Sequence, residues 1–170
     1  MLSLDEYRQD LLQFVKATAE SENEGTVASF VKVCLDILLG AEAVPDYELC
    51  FFTGNGRRNK SLRVDAYAFD DFDGTMYLVV ANYGGDKETK TLNKTEAMQI
   101  FSKAQAFADD ALNSRLIDNV EMSTPAYDLV TTLRENAERV RKFKVLLITD
   151  MNMSGRISEL EASRVGNIPL

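Results

Sequence analysis

The sequence contains no histidine, and this absence removes several classes of chemistry at the outset. Without an imidazole the chain cannot build a Ser-His-Asp or Cys-His catalytic system. It also lacks the usual ligand of zinc enzymes and the commonest general base. Any reaction carried out by these residues would have to use carboxylates, lysines or a hard cation such as Mg²⁺.

Cysteine is scarce as well. Cys34 and Cys50 are the two thiols of the chain, both lie in apolar stretches, and no Cys-x-x-Cys occurs. We expect them to be reduced and buried, where they act as small hydrophobic side chains rather than as metal ligands.

The sequence also lacks a long hydrophobic run. No stretch approaches the ~18 apolar residues of a membrane span. The opening segment MLSLDEYRQDLLQF carries acids where a secretory signal has bases. We therefore predict a cytoplasmic protein with no membrane partner.

Positive charge is in deficit. The formal net charge is -8, the opposite of what is expected for a protein whose main task is to hold nucleic acid. A basic cluster still interrupts this acidic chain near Gly54 and Gly56, and its members are Arg57, Arg58, Lys60 and Arg63. The cluster has two interpretations, a hairpin tip that contacts phosphates or a solvated turn in an acidic body.

The length of 170 residues suits one domain, residues 1–170, with a single core. Hydrophobic periodicity predicts helices at 4–20 and from Val27 to Gly40, followed by strands at 47–53, 62–69 and 76–83. Two further helices precede a last strand at 144–149. The first can be capped by Asn93 or Thr95, and the second starts at Ser123-Thr124-Pro125 with proline in its first turn.

The resulting order, α-α-β-β-β-α-α-β, predicts an α/β (α+β) fold with a mixed sheet of about four strands flanked by helices. We expect an antiparallel meander of the first three strands and a parallel last strand. The final 20 residues predict little beyond one short helical turn. Because nothing closes the fold after GNIPL, we expect the N-terminal part of a longer protein.

Two patterns give detailed expectations about burial. In the first helix the predicted buried stripe consists of Leu4, Tyr7, Leu11, Phe14, Val15 and Thr18. In the second strand, Leu62, Val64, Ala66 and Ala68 alternate with Arg63, Asp65, Tyr67 and Phe69, which predicts one apolar and one polar face.

The acid in the middle of that strand, Asp65, is the candidate catalytic or metal-binding residue. The core of the predicted order, helix, three-stranded meander, helix and strand, resembles the restriction-endonuclease-like fold. That resemblance implies a magnesium site formed by an acid on the second core strand and an acid-x-lysine on the third. Opposite Asp65, however, the third strand reads Val80, Ala81 and Asn82. The second acid and the lysine are missing, unless Asp86 and Lys87 of the next loop replace them. The alternative is that Asp65 is a structural partner of a nearby arginine.

Two other charged features have simple structural interpretations. Asp150, which ends the last strand, is expected to cap a following helical turn. The cations near the end of the last helix are expected to complement its dipole, and they are Arg134, Arg139, Arg141, Lys142 and Lys144.

The order of several segments resembles the N-terminal region of AIPR proteins, the abortive-infection phage-resistance family. The segments are LDEYRQDLLQFVKA, the VDAYAFD strand, the YLVVANY strand, STPAYDL, and VLLITDMNMSGRI with its Ser-Gly turn. The resemblance implies a bacterial anti-phage defence protein that is longer than this chain. It also implies a restriction-endonuclease-like N-terminal domain, often without an intact catalytic motif.

Three hypotheses follow. The first is a catalytically degenerate nuclease-like module that serves recognition, assembly or regulation, without a resident cofactor. The second is an active nuclease that uses Mg²⁺ and Asp65. The third is a dimerisation or scaffold domain with no nucleic-acid role. Expected partners are nucleic acid bound through the basic hairpin, C-terminal domains of the same protein, or further copies of the chain.

Overall fold

The computed structural model describes residues 1–154 and 163–170. Four α-helices and eight strands make up these parts of the chain. The helices are α1 (Leu4–Glu22), α2 (Thr26–Gly40), α3 (Lys94–Asn113) and α4 (Pro125–Glu135). The long strands are β1 (Glu48–Asn55), β2 (Ser61–Asp70), β3 (Thr75–Asn82) and β5 (Lys142–Thr149). The short strands are β4 (Thr91–Leu92), β6 (Asn152–Met153), β7 (Arg164–Val165) and β8 (Ile168–Pro169).

The four long strands form one mixed sheet in the order β1-β2-β3-β5. Strands β1, β2 and β3 are antiparallel neighbours, with Ala66 opposite Val79. Strand β5 pairs in parallel with β3, which places Ala81 opposite Ile148. The predicted fold class, the meander and the parallel last strand are therefore confirmed.

Helices cover both faces of this sheet. One face packs with α3 and α4 around a core that includes Phe107, Leu129 and Leu133. The other face packs with α1 and α2, where Val15 and Phe30 are buried. Strand β3 lies between two strands and under both helical layers, which explains why its sequence MYLVVA is nearly all apolar.

Side-chain caps start two of the helices. Ser3 and Glu6 form a capping box at the start of α1, and Asn93 and Glu96 form another at the start of α3. In each, the side-chain oxygen of the first residue accepts a backbone N–H that would otherwise lack a partner. The predicted cap at Asn93 is thus confirmed.

The buried face of α1 differs from the predicted stripe. Leu4, Tyr7 and Phe14 of that stripe are exposed. Val15 is buried as predicted, but the rest of the buried face is rotated by about one position along the helix. Its residues are Arg8, Leu12, Val15 and Ala19. The prediction failed because it excluded arginine from the core, whereas Arg8 is buried with ionic and hydrogen-bond partners.

The predicted dipole role of the basic cluster after α4 is wrong for most of its members, because the helix already ends at Glu135. Instead, these cations face the turn between β2 and β3. Arg139 forms an ion pair with Asp71, and the Lys142 ammonium lies 3.9 Å from Asp73. The acids of the DDFDG turn, rather than a helix end, therefore explain where these cations lie.

The C-terminal stretch contains short strands. Strand β6 pairs in parallel with β4, and β7 with β8 forms a small hairpin. The Gly of the predicted Ser-Gly turn and the rest of 155–162 lie outside the described residues, as does most of the stretch in which a helical turn was expected. Among the described helices, none is long and apolar enough to cross a membrane.

Both thiols are free, and the predicted burial holds fully for Cys50 alone of the two. Cys50 is buried and Cys34 is half-buried. Loss of hydration raises the pKa of Cys34 to about 11 and that of Cys50 to about 12, because burial disfavours the thiolate. Neither group is an activated nucleophile at neutral pH.

The turn between β2 and β3 generates the first testable prediction. Gly74 has a φ of 75°, and an added Cβ would lie 2.5 Å from the Arg139 carbonyl oxygen. We expect Gly74→Ala to lower the free energy of unfolding by about 1–3 kcal/mol, measured by urea denaturation. Gly40→Ala is the control, because no atom lies within 4 Å of its added Cβ. Equal stability of the two variants would contradict this packing of the turn.

Candidate functional site

Strand β2 is irregular at Asp65. Before this residue, Leu62 and Val64 pack on the α3–α4 side of the sheet. After it, Ala66 packs on the α1–α2 side, while Tyr67 joins the α3–α4 side. The predicted strict alternation is therefore wrong beyond Asp65, because the strand changes its face there.

The neighbouring strand is distorted at the same level. The pairing of β1 with β2 slips between Leu49 and Phe52, and Phe51 has a φ of 47°. This is the geometry of a β-bulge, in which one extra residue bends a strand and re-aims side chains. Together the two irregularities allow the Asp65 side chain to reach strand β3.

The carboxylate of Asp65 completes the hydrogen bonding between β2 and β3. The backbone N–H of Ala81 donates to Asp65 Oδ2 over 2.7 Å. Arg63 binds the same carboxylate, with Nη2 at 3.0 Å from Oδ2 and Nε at 3.3 Å from Oδ1. Asp65 is 3% exposed, so both oxygens lie inside the protein. The carboxylate takes the place of a strand carbonyl and is neutralised by an arginine.

This arrangement leaves little for a metal ion to bind. The β3 residues at this level are Val80 and Ala81, both buried and apolar, followed by Asn82. The Asn82 amide lies 3.8 Å from the Met151 sulfur. Within residues 1–154 and 163–170, no three His, Cys, Asp or Glu side chains are grouped so as to hold a metal.

The replacement residues considered for a displaced site, Asp86 and Lys87, lie in the loop after β3. Asp86 forms an ion pair with Lys90, at 3.0 Å, and its carbonyl oxygen accepts a hydrogen bond from Arg8. Lys87 lines a shallow recess together with Arg8 and Lys16.

A buried ion pair at the ends of β3 and β5 was not predicted. The Asp150 carboxylate accepts the N–H groups of Gly84 and Gly85, each over 2.8 Å. Arg8 donates from Nη2 to Asp150 Oδ2 over 3.2 Å and from Nε to the Asp150 carbonyl over 2.6 Å. The expected role of Asp150 as a helix cap is wrong. The residue instead ties α1, the β3–β4 loop and the end of β5 together.

A sequence signal for this ion pair existed. The carboxyl ends of parallel strands meet at one edge of a sheet, so Gly84 and Asp150 should lie close together once β3 and β5 are paired. Because Gly85 has a φ of 68°, this loop can turn both amides toward one carboxylate.

The predicted basic cluster contains both arginines that are paired with acids and cations that form no ion pair within the described residues. Arg57 opens a short 3₁₀ turn, Arg57–Asn59, and is held by α3. Its backbone N–H and Nε donate to Asp110 over 2.8 and 3.0 Å, and its Nη2 donates to Asp109 over 2.8 Å. These bonds raise the pKa of the guanidinium further, chiefly through Asp110. A Cβ on Gly56 would lie 1.9 Å from Asp110 Oδ2, so this anchor requires glycine there.

The other three cations of the cluster also differ in whether they are paired. Arg63 is occupied by Asp65. Arg58 and Lys60 are exposed and, among the described residues, form no ion pair. Both line a recess beside α3, and Lys60 also lines a larger cleft with Lys103 and Arg164. Of the four predicted nucleic-acid contacts, Arg57 is exposed but paired with Asp109 and Asp110, and Arg63 is paired with Asp65. Within the described residues, Arg58 and Lys60 are the two that are exposed and form no ion pair.

Most of these elements lie within a known protein-family domain. The family model for the abortive infection phage resistance protein N-terminal domain matches residues 30–170. The chain belongs to this family. The match covers the sheet, α3, α4 and most of α2, so the resemblance based on the VDAYAFD, YLVVANY and VLLITD strands is confirmed. Helix α1 precedes the matched range. No curated protein and no solved structure matches the chain significantly.

The Arg8–Asp150 pair yields the second prediction. Removing one partner of a buried ion pair leaves an uncompensated charge, which typically costs about 3–5 kcal/mol. We expect Asp150→Ala to lower the free energy of unfolding by that amount in chemical denaturation. Asp118→Ala removes the exposed partner of Arg115 and should change it by less than about 1 kcal/mol. Similar small losses in both variants would show that the buried pair does not hold these elements together.

Proposed function

We propose that this domain is a nuclease-like module that does not cleave nucleic acid. It acts in the cytoplasm within an abortive-infection phage resistance protein, where it serves recognition, assembly or regulation. Membership of the family supports the defence role. The order of helices and strands supports a restriction-endonuclease-like ancestry.

The observation that carries the proposal is the use of Asp65. A catalytic carboxylate for Mg²⁺ must keep an oxygen available to a hydrated ion, and Mg²⁺ retains several waters when bound. Asp65 instead places its oxygens on Ala81 and Arg63 in the protein interior. The positive charge of Arg63 would also repel a divalent cation at that position.

A dimerisation or scaffold function is the second candidate, and one surface favours it. Tyr7, Phe14 and Ile37 are exposed along a groove between α1 and α2. Exposed apolar faces of this kind often mark contacts between proteins. Asp10 and Asp36 also line the groove, so packing against a second copy would bring like charges together. This disfavours a symmetric dimer through that surface.

Metal titration tests the proposal. We expect Mg²⁺ or Mn²⁺ to produce no cleavage of DNA or RNA and no shift of the melting temperature. Because Asp65→Ala leaves the Ala81 N–H without its acceptor, it should lower the free energy of unfolding by about 1–3 kcal/mol, with or without metal. Asp10→Ala, at an exposed position, is the control and should be close to wild type.

One result would contradict the proposal that the domain does not cleave nucleic acid. Metal-dependent cleavage that is present in the wild type and lost in a folded Asp65→Asn variant would establish an active nuclease. Asparagine keeps an oxygen that can accept from Ala81 but removes the negative charge that a metal needs. The pair Asp65→Ala and Asp65→Asn therefore separates the structural role from the catalytic one.

A further inference from the structure

We propose that the cleft between the β1–β2 connection, α3 and the β7–β8 hairpin binds the phosphodiester backbone of a nucleic acid. The site differs from the nuclease position at Asp65. It also differs from the hairpin surface expected from the sequence, since Arg57 and Arg63 do not contribute free cations to it. The proposal does not depend on whether the domain cleaves its ligand.

The cleft has a volume of about 580 Å³ and is lined mainly by polar side chains. Three separate parts of the chain contribute to it. They are the β1–β2 connection with Lys60, helix α3 with Gln99, Ser102, Lys103 and Asp109, and strand β7 with Arg164. A smaller recess, which is also lined by Arg58 and by the paired Arg57 and Asp110, shares Lys60, Ala106 and Asp109 with it. The two form one continuous surface beside α3.

The charge of this surface is positive although the chain is acidic. Lys60, Lys103 and Arg164 line the cleft and, within the described residues, form no ion pair. The acid beside them, Asp109, is already occupied, since it accepts from Arg57 at 2.8 Å and from Asn113 at 2.9 Å. Cations that form no ion pair within the described residues can exchange their counterions for phosphate.

The segment that presents Arg58 and Lys60 has a left-handed backbone. Arg58 and Asn59 have φ values of 55° and 56°. This conformation costs about 1–2 kcal/mol for arginine and is tolerated more readily by asparagine. The turn is closed by the Gly56 N–H, which donates to the Lys60 carbonyl over 2.8 Å. Asp110 holds its first residue against α3. Strain maintained by the surrounding structure is characteristic of sites at which a side chain must be aimed.

Strand β7, on the other side of the cleft, is held in place by a hydrogen bond to α3. Gln105 of α3 donates from Nε2 to the Arg164 carbonyl over 2.9 Å, which fixes β7 against the helix. Gln99 and Ser102 add further polar groups between the cations. Amide and hydroxyl groups with lysine and arginine are the set that contacts phosphate oxygens without reading base sequence.

The arrangement favours a polymer over a single phosphate. The cations come from different elements and lie at the surface, so no enclosed pocket surrounds one phosphate group. A backbone that runs along α3 would contact Arg58 and Lys60 first, and then Lys103 and Arg164. Nucleic-acid binding by this surface would be independent of sequence and strongly dependent on salt.

Fluorescence anisotropy tests this inference on the 170-residue chain. The probes are a labelled 20-nucleotide single-stranded DNA, the RNA of the same sequence and the DNA duplex, each at several salt concentrations. We expect at least one of them to bind at low salt, and Lys60→Ala/Lys103→Ala to weaken that binding by about tenfold or more. The slope of log K against log salt should fall by about one for each lysine removed.

The matched control is Lys16→Ala/Lys87→Ala, which removes the same charge from the recess beside Arg8. It should retain the affinity and the salt slope of the wild type. The inference is overturned if no probe binds at low salt or if the control weakens binding as much as the cleft variant. It is also overturned if AMP or inorganic phosphate competes as well as the oligonucleotide. Unchanged melting temperatures would confirm that both double variants are folded.

Discussion

The hydrogen bond from the Ala81 N–H to the Asp65 carboxylate is the constraint around which the sheet is organised. Regular pairing of β2 with β3 extends from the Asp70–Thr75 end to Ala66 opposite Val79. Beyond that point β2 changes its face, and a side chain supplies the acceptor that Ala81 needs. Because an unsatisfied buried N–H costs about 1–3 kcal/mol, the acid contributes to the integrity of the sheet.

The same arrangement, a buried carboxylate bound by a backbone N–H and an arginine, occurs at two other places in the molecule. Three buried carboxylates each accept backbone N–H groups and each pair with an arginine. They are Asp65 with Ala81 and Arg63, Asp110 with Arg57, and Asp150 with Gly84, Gly85 and Arg8. Each joins elements that are distant in sequence, or closes an irregular segment. In this domain these three acids therefore act as internal anchors that hold separate parts of the fold together.

Much of the architecture is predictable from the sequence because it depends on local patterns. Apolar alternation and the Asp-Gly turn place β2 and β3, and the buried run KVLLIT places β5 as a parallel neighbour. Side-chain placement within these elements is less predictable. The stripe on α1 was misplaced because Arg8 is buried by a partner 142 residues away, Asp150, which periodicity cannot detect. The alternation in β2 failed at Asp65 for a similar reason, since its partner lies on another strand.

The candidate sites were also only partly predictable from the sequence, because they depend on contacts between distant residues. The absence of an acid and a lysine at Val80, Ala81 and Asn82 of β3 can be seen in the sequence itself. The sequence could not show which cations of the basic cluster are paired with acids. Which arginines are occupied depends on Asp65 and Asp110, and the additional cations, Lys103 and Arg164, come from parts of the chain far from the hairpin.

Amide hydrogen exchange at Ala81 tests the structural role of Asp65 most directly. In the wild type this amide should be protected as strongly as its neighbours in β3, because exchange requires opening of the sheet. In Asp65→Ala its exchange should accelerate more than that of Leu78, which keeps its place in the β2–β3 pairing. An Ala81 amide that is unprotected in the wild type, or that exchanges no faster relative to Leu78 after the substitution, would contradict the account.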